Sequence, residues 1–329
     1  MIKDGIAVLG NILTDNVKMV KSYPQKGMLS TITSESLAVG GCVPNTAIDL
    51  KKVDGNLTVY AYGKVGCDDK GAFVVKEMEK IGIDCSGVKK SKTAPTSYSD
   101  VITVEGTGER TFFHNRGANA EFNLSDVDID NINAKILHAG YLMLLDGFDK
   151  IENGKTQMSE LLSRARDKGI KTSIDLVSES SGDFKKVATA SLPYCDYVII
   201  NEIEAGAIVG VSVRDDNGAL IEKNIVKAME KLIEFGVKEK VIIHCPESGF
   251  LIDKDKNFTA VASKKLPKGF IKGSVGAGDA FCAGALYGLY NDFEDKEILR
   301  FANLVAISCL SAPDSVSGIK SKDLLEKIL

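Results

Sequence analysis

The 329-residue chain has no tryptophan, only three histidines and only seven prolines. Positive charge is scarce too, because 41 Lys and Arg stand against 45 Asp and Glu, for a net charge of −4. Such a chain lacks the basic surface that binds nucleic acid or an anionic membrane. No apolar run approaches the roughly 20 residues of a membrane-spanning helix, and residues 1–11 turn polar too early for a signal peptide. We therefore expect a cytoplasmic protein with neither nucleic acid nor membrane as partner.

Cysteine and histidine lack the spacing of disulfide or metal motifs. Seven cysteines, an odd number, are scattered without a C-x-x-C pair: Cys42, Cys67, Cys85, Cys195, Cys245, Cys282 and Cys309. Most lie in apolar surroundings, which predicts buried free thiols in a reducing compartment. His138 lies in a strand-like run and is expected to be a core histidine, and His114 and His244 stand at no metal-ligand spacing from it.

Short apolar runs rich in β-formers alternate with amphipathic segments. The runs cover residues 6–10, 57–63, 135–140, 170–175, 196–200 and 240–245. The amphipathic segments 68–82 and 218–236 carry apolar residues at helical spacing. Several of the runs are apolar throughout, which is typical of strands covered on both faces. The alternation predicts an α/β layered fold with a mostly parallel central sheet.

Two segments, 15–41 and 96–119, break this rhythm, because they are β-rich with glycine turns and no helical pattern between the strands. We predict two antiparallel strand pairs that form one small sheet. This sheet would project from the main body as a lid covering approximately residues 15–37 and 96–118. The whole chain, 1–329, is expected to form a single domain.

Two further segments resemble ligand-binding loops but fail at a required residue. Residues 153–156 end like a P-loop, but Asp149 stands where that motif needs glycine. Residues 126–131 begin like a calcium loop, but Asn131 replaces its glycine and Leu137 replaces its glutamate. We predict turns or helix caps at both places.

The segment 273–284, GSVGAGDAFCAG, leads from a glycine-rich loop into an apolar helix. Gly276, Ala277 and Gly278 let successive N–H groups face one point, where the helix adds its positive dipole end. That arrangement suits an anion such as phosphate. Asp279, in the first turn, would stay ionised beside these groups and could take a proton from a substrate hydroxyl. The plainer interpretation is a tight turn followed by a carboxylate that stabilises the helix end.

Four motifs, in this order along the chain, resemble the signatures of the PfkB (ribokinase-like) family of carbohydrate kinases. They are AVLGNILTDNV (7–17), VGGCVPNTA (39–47), NEIEAGAIVG (201–210) and SVGAGDAFCAG (274–284). With the intervening strands, the resemblance covers nearly the full length. It implies a ribokinase-like fold and an ATP-dependent kinase, using Mg²⁺, that phosphorylates a hydroxyl of a sugar or sugar-like small molecule.

The resemblance also implies roles for particular residues. Asp279 would be the catalytic base, with Gly276, Ala277 and Gly278 as the anion-binding loop. Acceptor-binding roles fall to four residues: Asp15, Gly40, Gly41 and Asn45. Nucleotide-binding roles fall to six: Asn201, Glu204, His244, Gly249, Ser274 and Asn303. Glu204 would also help to place Mg²⁺ indirectly.

Several of these residues have a plainer alternative. Gly40 and Gly41 could form a bare strand-to-helix turn, and Asn201 could simply cap a helix. Asn303 could serve helix packing, and His244 could be a structural residue at a strand end.

Two positions depart from the family pattern. Gly273 stands where many members have an aspartate used with a monovalent cation, so we expect little activation by potassium. The family's T-x-G after a late strand is replaced by residues 244–246, His-Cys-Pro, which puts the usual nucleotide contacts there in doubt.

Other functions stay open. A nucleoside kinase of the same fold is the nearest alternative, because acceptor choice would depend on lid residues such as Met28, Phe113 and Asn115. A non-catalytic sugar- or nucleotide-binding regulator is another. A dinucleotide-dependent oxidoreductase is disfavoured, since no G-x-G-x-x-G follows the first strand. The lid is also a candidate surface through which two copies of the chain could form a homodimer.

Overall fold

The computed structural model describes residues 3–177 and 184–328. The strands are β1 (Ile6–Gly10), β2 (Leu13–Val20), β3 (Ile32–Gly40), β4 (Val59–Gly66), β5 (Asp84–Ser91), β6 (Ser97–Val104), β7 (Arg110–Asn115), β8 (Ile136–Leu142), β9 (Ile151–Glu152), β10 (Lys155–Thr156), β11 (Lys171–Leu176), β12 (Tyr197–Asn201), β13 (Lys240–His244), β14 (Ser248–Asp253) and β15 (Phe258–Ala262).

The helices alternate with these strands through most of the chain. They are α1 (Cys42–Val53), α2 (Asp69–Glu79), α3 (Gly117–Glu121), α4 (Asp146–Asp149), α5 (Gln157–Asp167), α6 (Phe184–Ser191), α7 (Glu202–Val209), α8 (Glu222–Glu234), α9 (Ala277–Tyr290), α10 (Asp295–Leu310) and α11 (Lys322–Leu325).

Nine strands form the central sheet, in the order β15-β14-β13-β12-β11-β8-β1-β4-β5. Pairing is parallel from β13 to β5 and antiparallel from β13 through β15. The predicted α/β fold with a mostly parallel sheet is therefore confirmed. Sequence reasoning missed three strands of this sheet: β5, β14 and β15. In β5 and β15, exposed residues break up the apolar pattern that a covered strand shows.

Helices cover both faces of this sheet, and the core is therefore divided into two layers. In β1, Ile6 and Val8 pack into one layer, while Ala7 and Leu9 pack into the other. This alternation follows from the two-residue repeat of a strand. Helices α1, α9 and α10 contribute to the first layer, and α5 and α8 to the second. Because helices cover both faces of these strands, a ligand site can form at the edge of the sheet where their carboxyl ends lie.

The two β-rich segments form a separate four-stranded sheet, in the order β3-β2-β6-β7. We call it the lid sheet. Strands β2 and β3 pair antiparallel, β6 and β7 do the same, and β2 and β6 join the two hairpins in parallel. This confirms two antiparallel pairs in one small sheet. Asp15 lies within β2, so the first motif runs from the central sheet into the lid sheet. Pairing of two copies through this sheet stays a prediction.

The two rejected loops have the structures predicted for them. Asn153 and Gly154 form the turn of the β9–β10 hairpin with positive φ angles of 52° and 77°, and Thr156 caps α5. Residues Ile129–Asn131 form a single 3₁₀ turn. The seven cysteines are free thiols, five of them buried, and His138 is fully buried as expected. Among the described helices, none has both the length and the apolar character needed to cross a membrane.

Candidate active site

The aspartate of the glycine-rich loop lies where the apolar helix α9 begins. Gly276 is the N-cap residue, with φ 80° and ψ −3°, and Asp279 falls in the first turn. The Asp279 side chain is buried, with 7% of its surface exposed. Backbone N–H groups in the first turn of a helix lack carbonyl partners within the helix. The loop therefore presents N–H donors beside a buried carboxylate.

Asp279 is held by a chain of hydrogen bonds from three other elements. The Tyr141 hydroxyl donates to Oδ1 at 2.6 Å, and Asn45 Nδ2 donates to Oδ2 at 2.9 Å. The Ser315 hydroxyl in turn donates to Asn45 Oδ1 at 2.9 Å. Both polar ends of the Asn45 side chain are thus engaged by protein groups. In the structure, Asn45 orients Asp279, a role that sequence reasoning did not assign to it.

The electrostatics of Asp279 differ from the sequence-based expectation. Burial raises the pKa of its carboxyl from 3.8 to about 6, against the opposing effect of the hydrogen bonds from Tyr141 and Asn45. The sequence-based expectation was that the helix end would set the ionisation of Asp279. It was wrong, because desolvation has the larger effect on the pKa of this carboxyl. The carboxyl is still mostly ionised near neutral pH. Its raised basicity brings it closer to the pKa at which a general base works best.

A small cleft of about 120 Å³ opens beside Asp279 at the carboxyl edge of the central sheet. Its walls come from the glycine-rich loop and the ends of four strands or their following helices. The lining residues are Tyr141, Asp175, Leu176, Asn201, Glu204, His244, Gly276, Gly278 and Asp279. The cleft thus joins predicted catalytic residues to three of the predicted nucleotide-binding residues.

Asn201 and Glu204 form a reciprocal cap at the start of α7. Asn201 Oδ1 accepts from the Glu204 N–H at 2.8 Å, and Glu204 Oε2 accepts from the Asn201 N–H at 3.0 Å. The alternative that Asn201 caps a helix is therefore confirmed. The cap also fixes the buried Glu204 carboxylate at the cleft wall. A structural role and a role in binding are compatible here.

His244 ends β13 and packs against the first turns of α9. Its ring lies 5.0 Å from the Phe281 ring, centroid to centroid. A Cβ placed on Gly278 would lie 3.2 Å from His244 Cε1. Burial lowers the pKa of His244 to about 4, so the ring is neutral at physiological pH. These contacts give His244 a packing role, and a neutral ring could still donate one hydrogen bond into the cleft.

A larger cavity of about 660 Å³ lies between the lid sheet and the segments around residues 275 and 315. Asp15 lines it, and burial raises the pKa of its carboxyl to about 7, with a hydrogen bond to Ser99 opposing and the Asp279 charge adding to the rise. A Cβ at Gly40 would lie 2.5 Å from Asp15 Oδ2, so glycine there leaves room for the carboxylate. The cavity therefore places one carboxyl group of the lid sheet close enough to Asp279 for its charge to act on it.

Apolar side chains form much of the remaining cavity wall. They are Val17, Met19, Val39, Val101, Val104, Phe112, Ile271 and Val275. Sequence reasoning chose Phe113 on β7 as a selecting residue, whereas its neighbour Phe112 lines the cavity. Successive strand residues point to opposite faces of a sheet, and the sequence alone did not give the register. Met28 is also largely exposed, outside the cavity lining.

Eight predicted site residues lie outside the cleft lining: Asp15, Gly40, Gly41, Asn45, Gly249, Ser274, Ala277 and Asn303. Gly249 packs in β14, where an added Cβ would lie 3.1 Å from the Phe281 ring. Asn303 on α10 donates to the Val261 carbonyl at 3.1 Å, which agrees with a packing role. Ser274 borders a cavity of about 480 Å³ on the lid side. Gly41 precedes α1 with a φ of 91°, as a strand-to-helix turn requires.

Comparison with known proteins identifies the family to which this arrangement belongs. The family described as pfkB family carbohydrate kinase matches residues 3–321. The chain belongs to the PfkB family of carbohydrate kinases. A ribokinase of Schizosaccharomyces pombe is 25% identical over 322 residues, covering 96% of this chain and 95% of the relative. An adenosine kinase of the same organism is 27% identical over 283 residues, covering 84% of this chain and 80% of the relative.

Solved structures show the same ribokinase-like fold. A ribokinase of Arabidopsis thaliana, described as complexed with ribose and ATP, superposes with a TM-score of 0.81. It is 19% identical, and the match covers 99% of this chain and 98% of that one. As a PfkB family member, the chain is a phosphotransferase with an alcohol group as acceptor, in the class of carbohydrate and nucleoside kinases.

Three residues of the candidate site escaped sequence reasoning: Tyr141, Asp175 and Ser315. Asp175 ends the predicted strand IKTSID, and polar residues at the carboxyl end of a parallel strand are a signal that could have found it. Tyr141 carries the same signal, because it follows the predicted strand 135–140 and lies near the carboxyl end of β8. Ser315 carries no such signal, because only the fold brings it to Asn45. A Cβ at Gly273 would lie 2.8 Å from the Pro313 carbonyl oxygen, so this loop has no room for a side chain there. The weak response to potassium stays a prediction.

Proposed function

We propose that this PfkB protein is an ATP-dependent kinase that transfers the γ-phosphoryl group to a hydroxyl of a sugar or sugar-like molecule, as one domain closed by the lid sheet. The observation that carries the proposal is the position of Asp279. Its carboxylate borders the cleft of the glycine-rich loop, and its charge reaches Asp15 in the lid-side cavity. A base in phosphoryl transfer needs this access to both the acceptor and the phosphate. The related ribokinase complexed with ribose and ATP supports the same pairing of substrates.

In the proposed reaction, the acceptor lies in the lid-side cavity with its hydroxyl at Asp279. Asp279 takes the hydroxyl proton while the oxygen bonds to the γ-phosphorus and the bond from that phosphorus to ADP breaks. The N–H groups of the first turn of α9 face the negative charge that spreads over the phosphoryl oxygens. The lid sheet closes over the acceptor and excludes water that would otherwise hydrolyse ATP.

The residues of the cleft fit a magnesium ion. Glu204 and Asp175 present buried carboxylates on the same wall, and magnesium prefers oxygen ligands of this kind. Burial and then the Glu204 charge hold the pKa of Asp175 well above its ordinary value, and a cation bound there would favour the ionised carboxylate. Magnesium bound there would neutralise phosphate charge during transfer.

A nucleoside is the second candidate acceptor. The apolar wall of the lid-side cavity suits a flat base better than a small polyol, while Asp15 would still bind ribose hydroxyls. The match to an adenosine kinase supports this alternative.

A panel assay tests the proposed function and separates its alternatives. ATP consumption with magnesium should rise for at least one member of a panel of sugars and nucleosides, and the phosphorylated product should appear by mass spectrometry. Sugars alone as acceptors would support the first candidate, and nucleosides alone the second. ATP binding measured by calorimetry without turnover on any acceptor would favour a non-catalytic regulator and contradict the proposal.

Replacing Asp15 by alanine should weaken acceptor binding. Hydrogen bonds to a charged group contribute about 1.5–3 kcal/mol each, so kcat/KM for the acceptor should fall about tenfold to a hundredfold, with KM for ATP little changed. Steady-state kinetics with each substrate varied would measure both. Glu35→Ala is the matched control, since this exposed lid residue lines the same cavity at its rim. Weaker ATP binding with an unchanged acceptor KM would reverse the assignment of Asp15.

A further inference from the structure

Three buried side chains with metal-binding atoms meet behind the cleft wall. They are His138 on β8, Asp175 on β11 and Cys282 on α9. One ligand atom from each lies within 4.8 Å of the other two. Within residues 3–177 and 184–328, this is the only group of three or more His, Cys and carboxylate side chains that meets in this way. The proposed kinase reaction uses only Asp175.

The histidine of this cluster is oriented as a ligand would be. His138 Nδ1 lies 3.0 Å from the Ser173 hydroxyl, and Nε2 lies 3.5 Å from Cys282 Sγ. A proton on Nδ1 directed at Ser173 leaves the Nε2 lone pair facing the thiol. Burial lowers the pKa of His138 to about 3, so the ring is neutral. Metal-binding histidines usually donate their other N–H to such an outer partner.

The spacing of the atoms fits a tetrahedral cation. Bonds of about 2.3 Å to sulfur and about 2.0 Å to nitrogen at tetrahedral angles place these two atoms about 3.5 Å apart. The observed separation of Sγ and Nε2 is 3.5 Å. Asp175 Oδ1 accepts from the Leu176 N–H at 2.7 Å, and the second oxygen is left to turn toward the cation. A sulfur, nitrogen and oxygen donor set favours zinc-like ions over magnesium or calcium.

Charge and access also favour a cation here. Asp175 shares the wall of the cleft with the carboxyl groups of Glu204 and Asp279, and a divalent cation would offset negative charge there. His138 is fully buried and Cys282 nearly so, but Asp175 borders the cleft and supplies the entrance.

We propose that His138, Asp175 and Cys282 form a binding site for a thiophilic divalent cation of the zinc class, and that its occupation inhibits the enzyme by engaging Asp175. Binding forms one bond to sulfur, one to nitrogen and one to oxygen, and it releases to solvent the Cys282 thiol proton together with any proton held by the Asp175 carboxyl. Water from the cleft completes the fourth position, and no electron is transferred. The inhibition rests on the proposed function, whereas the binding does not.

Cobalt provides a direct probe of the site, because a cobalt–thiolate bond gives a charge-transfer band in the near ultraviolet. Chelator-treated protein titrated with Co²⁺ should develop this band with one equivalent, and Zn²⁺ should remove it. Cys282→Ser should abolish the band. Ser173→Ala leaves all three ligands in place, and it should weaken Co²⁺ binding about 10- to 100-fold through loss of the outer hydrogen bond. Circular dichroism and thermal unfolding would verify that each variant folds.

The control is Cys195→Ser, which removes a buried thiol from the other core layer and should leave the titration unchanged. A parent protein without the band, or a band that survives Cys282→Ser in folded protein, would overturn the proposed site. Binding that is unaffected by Ser173→Ala would overturn the assigned role of His138.

A second measurement tests the inhibition. The assay uses an acceptor found by the panel assay and the same excess of magnesium and ATP for each protein. Zn²⁺ should inhibit the parent and the Cys195→Ser variant at least tenfold more strongly than it inhibits Cys282→Ser. Equal inhibition of all three would overturn inhibition through this site. If no acceptor is phosphorylated, the proposed function fails, and the cobalt titration still decides whether the metal site exists.

Discussion

Asp279→Asn is expected to lower kcat by at least about two decades while ATP and acceptor still bind. Asparagine keeps the shape and can still pair with Tyr141 and Asn45, but it cannot take the proton of the attacking hydroxyl. Positioned general bases contribute about 10²- to 10⁴-fold in rate. Single-turnover phosphorylation measures the chemical step, and calorimetry measures binding of each substrate to the same variant. A folded variant that binds both substrates and turns over within a few-fold of the parent would leave Asp279 as a helix-end carboxylate only.

The pH profile gives an independent readout of the same group. Because burial raises the pKa of the Asp279 carboxyl to about 6, kcat/KM of the parent should fall as pH drops through about 6, where the base becomes protonated. Tyr141→Phe is the matched control, since it removes one hydrogen bond that stabilises the carboxylate and retains the base. The acid limb of this variant should move to higher pH, with a smaller loss of kcat. The residual activity of Asp279→Asn should lack that limb, whereas Asp15→Ala, which removes the nearby carboxyl with a pKa of about 7, should keep it.

The central sheet was the most predictable part of the fold. Strands such as β1 and β12 are buried on both faces, so an unbroken apolar run was enough to locate them. The hairpins of the lid sheet were visible from glycine turns between β-rich runs. Strand β5 was missed because its residues are partly exposed and include two adjacent lysines. Exposed strands take their stability from neighbours that lie far away in sequence, which a local pattern does not contain.

The site was predictable where one local segment carries the chemistry. The loop and first turn of α9 contain glycines, N–H donors and Asp279 in four consecutive residues, so spacing alone suggested an anion site. Tyr141 and Asn45, which bind the carboxylate, lie 138 and 234 residues away along the chain. Their roles exist only after folding.

The environment of Asp279 was less predictable than its position. The sequence shows a helix dipole, which favours the carboxylate, but it does not show how completely α1 and β8 cover the side chain. Desolvation outweighs the dipole in the folded protein, so the pKa moves upward instead of downward.

Gly276→Ala should disturb the glycine-rich loop more than any other single methyl group added there. Gly276 has a φ of 80°, and a non-glycine residue in this left-handed conformation costs about 1–2 kcal/mol. The added Cβ would also lie 2.5 Å from Ser315 Cβ and 2.6 Å from Ser315 Cα, so backbone must move. Ser315 donates to Asn45, which donates to Asp279, and the displacement would therefore reach the base.

The combined strain of about 2 kcal/mol or more favours other conformations of the loop, and restoring the conformation that binds ATP should lower kcat/KM for ATP about thirtyfold or more. The same strain should lower the melting temperature. Steady-state kinetics and thermal unfolding measure these two effects, and calorimetry measures the affinity for ATP. Gly278→Ala is the matched control, because Gly278 has a helical backbone and its Cβ would meet only the edge of the His244 ring at 3.2 Å. That contact requires a small side-chain shift, so its effect should stay within a few-fold. If Gly276→Ala keeps the melting temperature and ATP affinity of the parent, the left-handed turn is not what shapes the anion site, and the first turn of α9 must hold the phosphate without it.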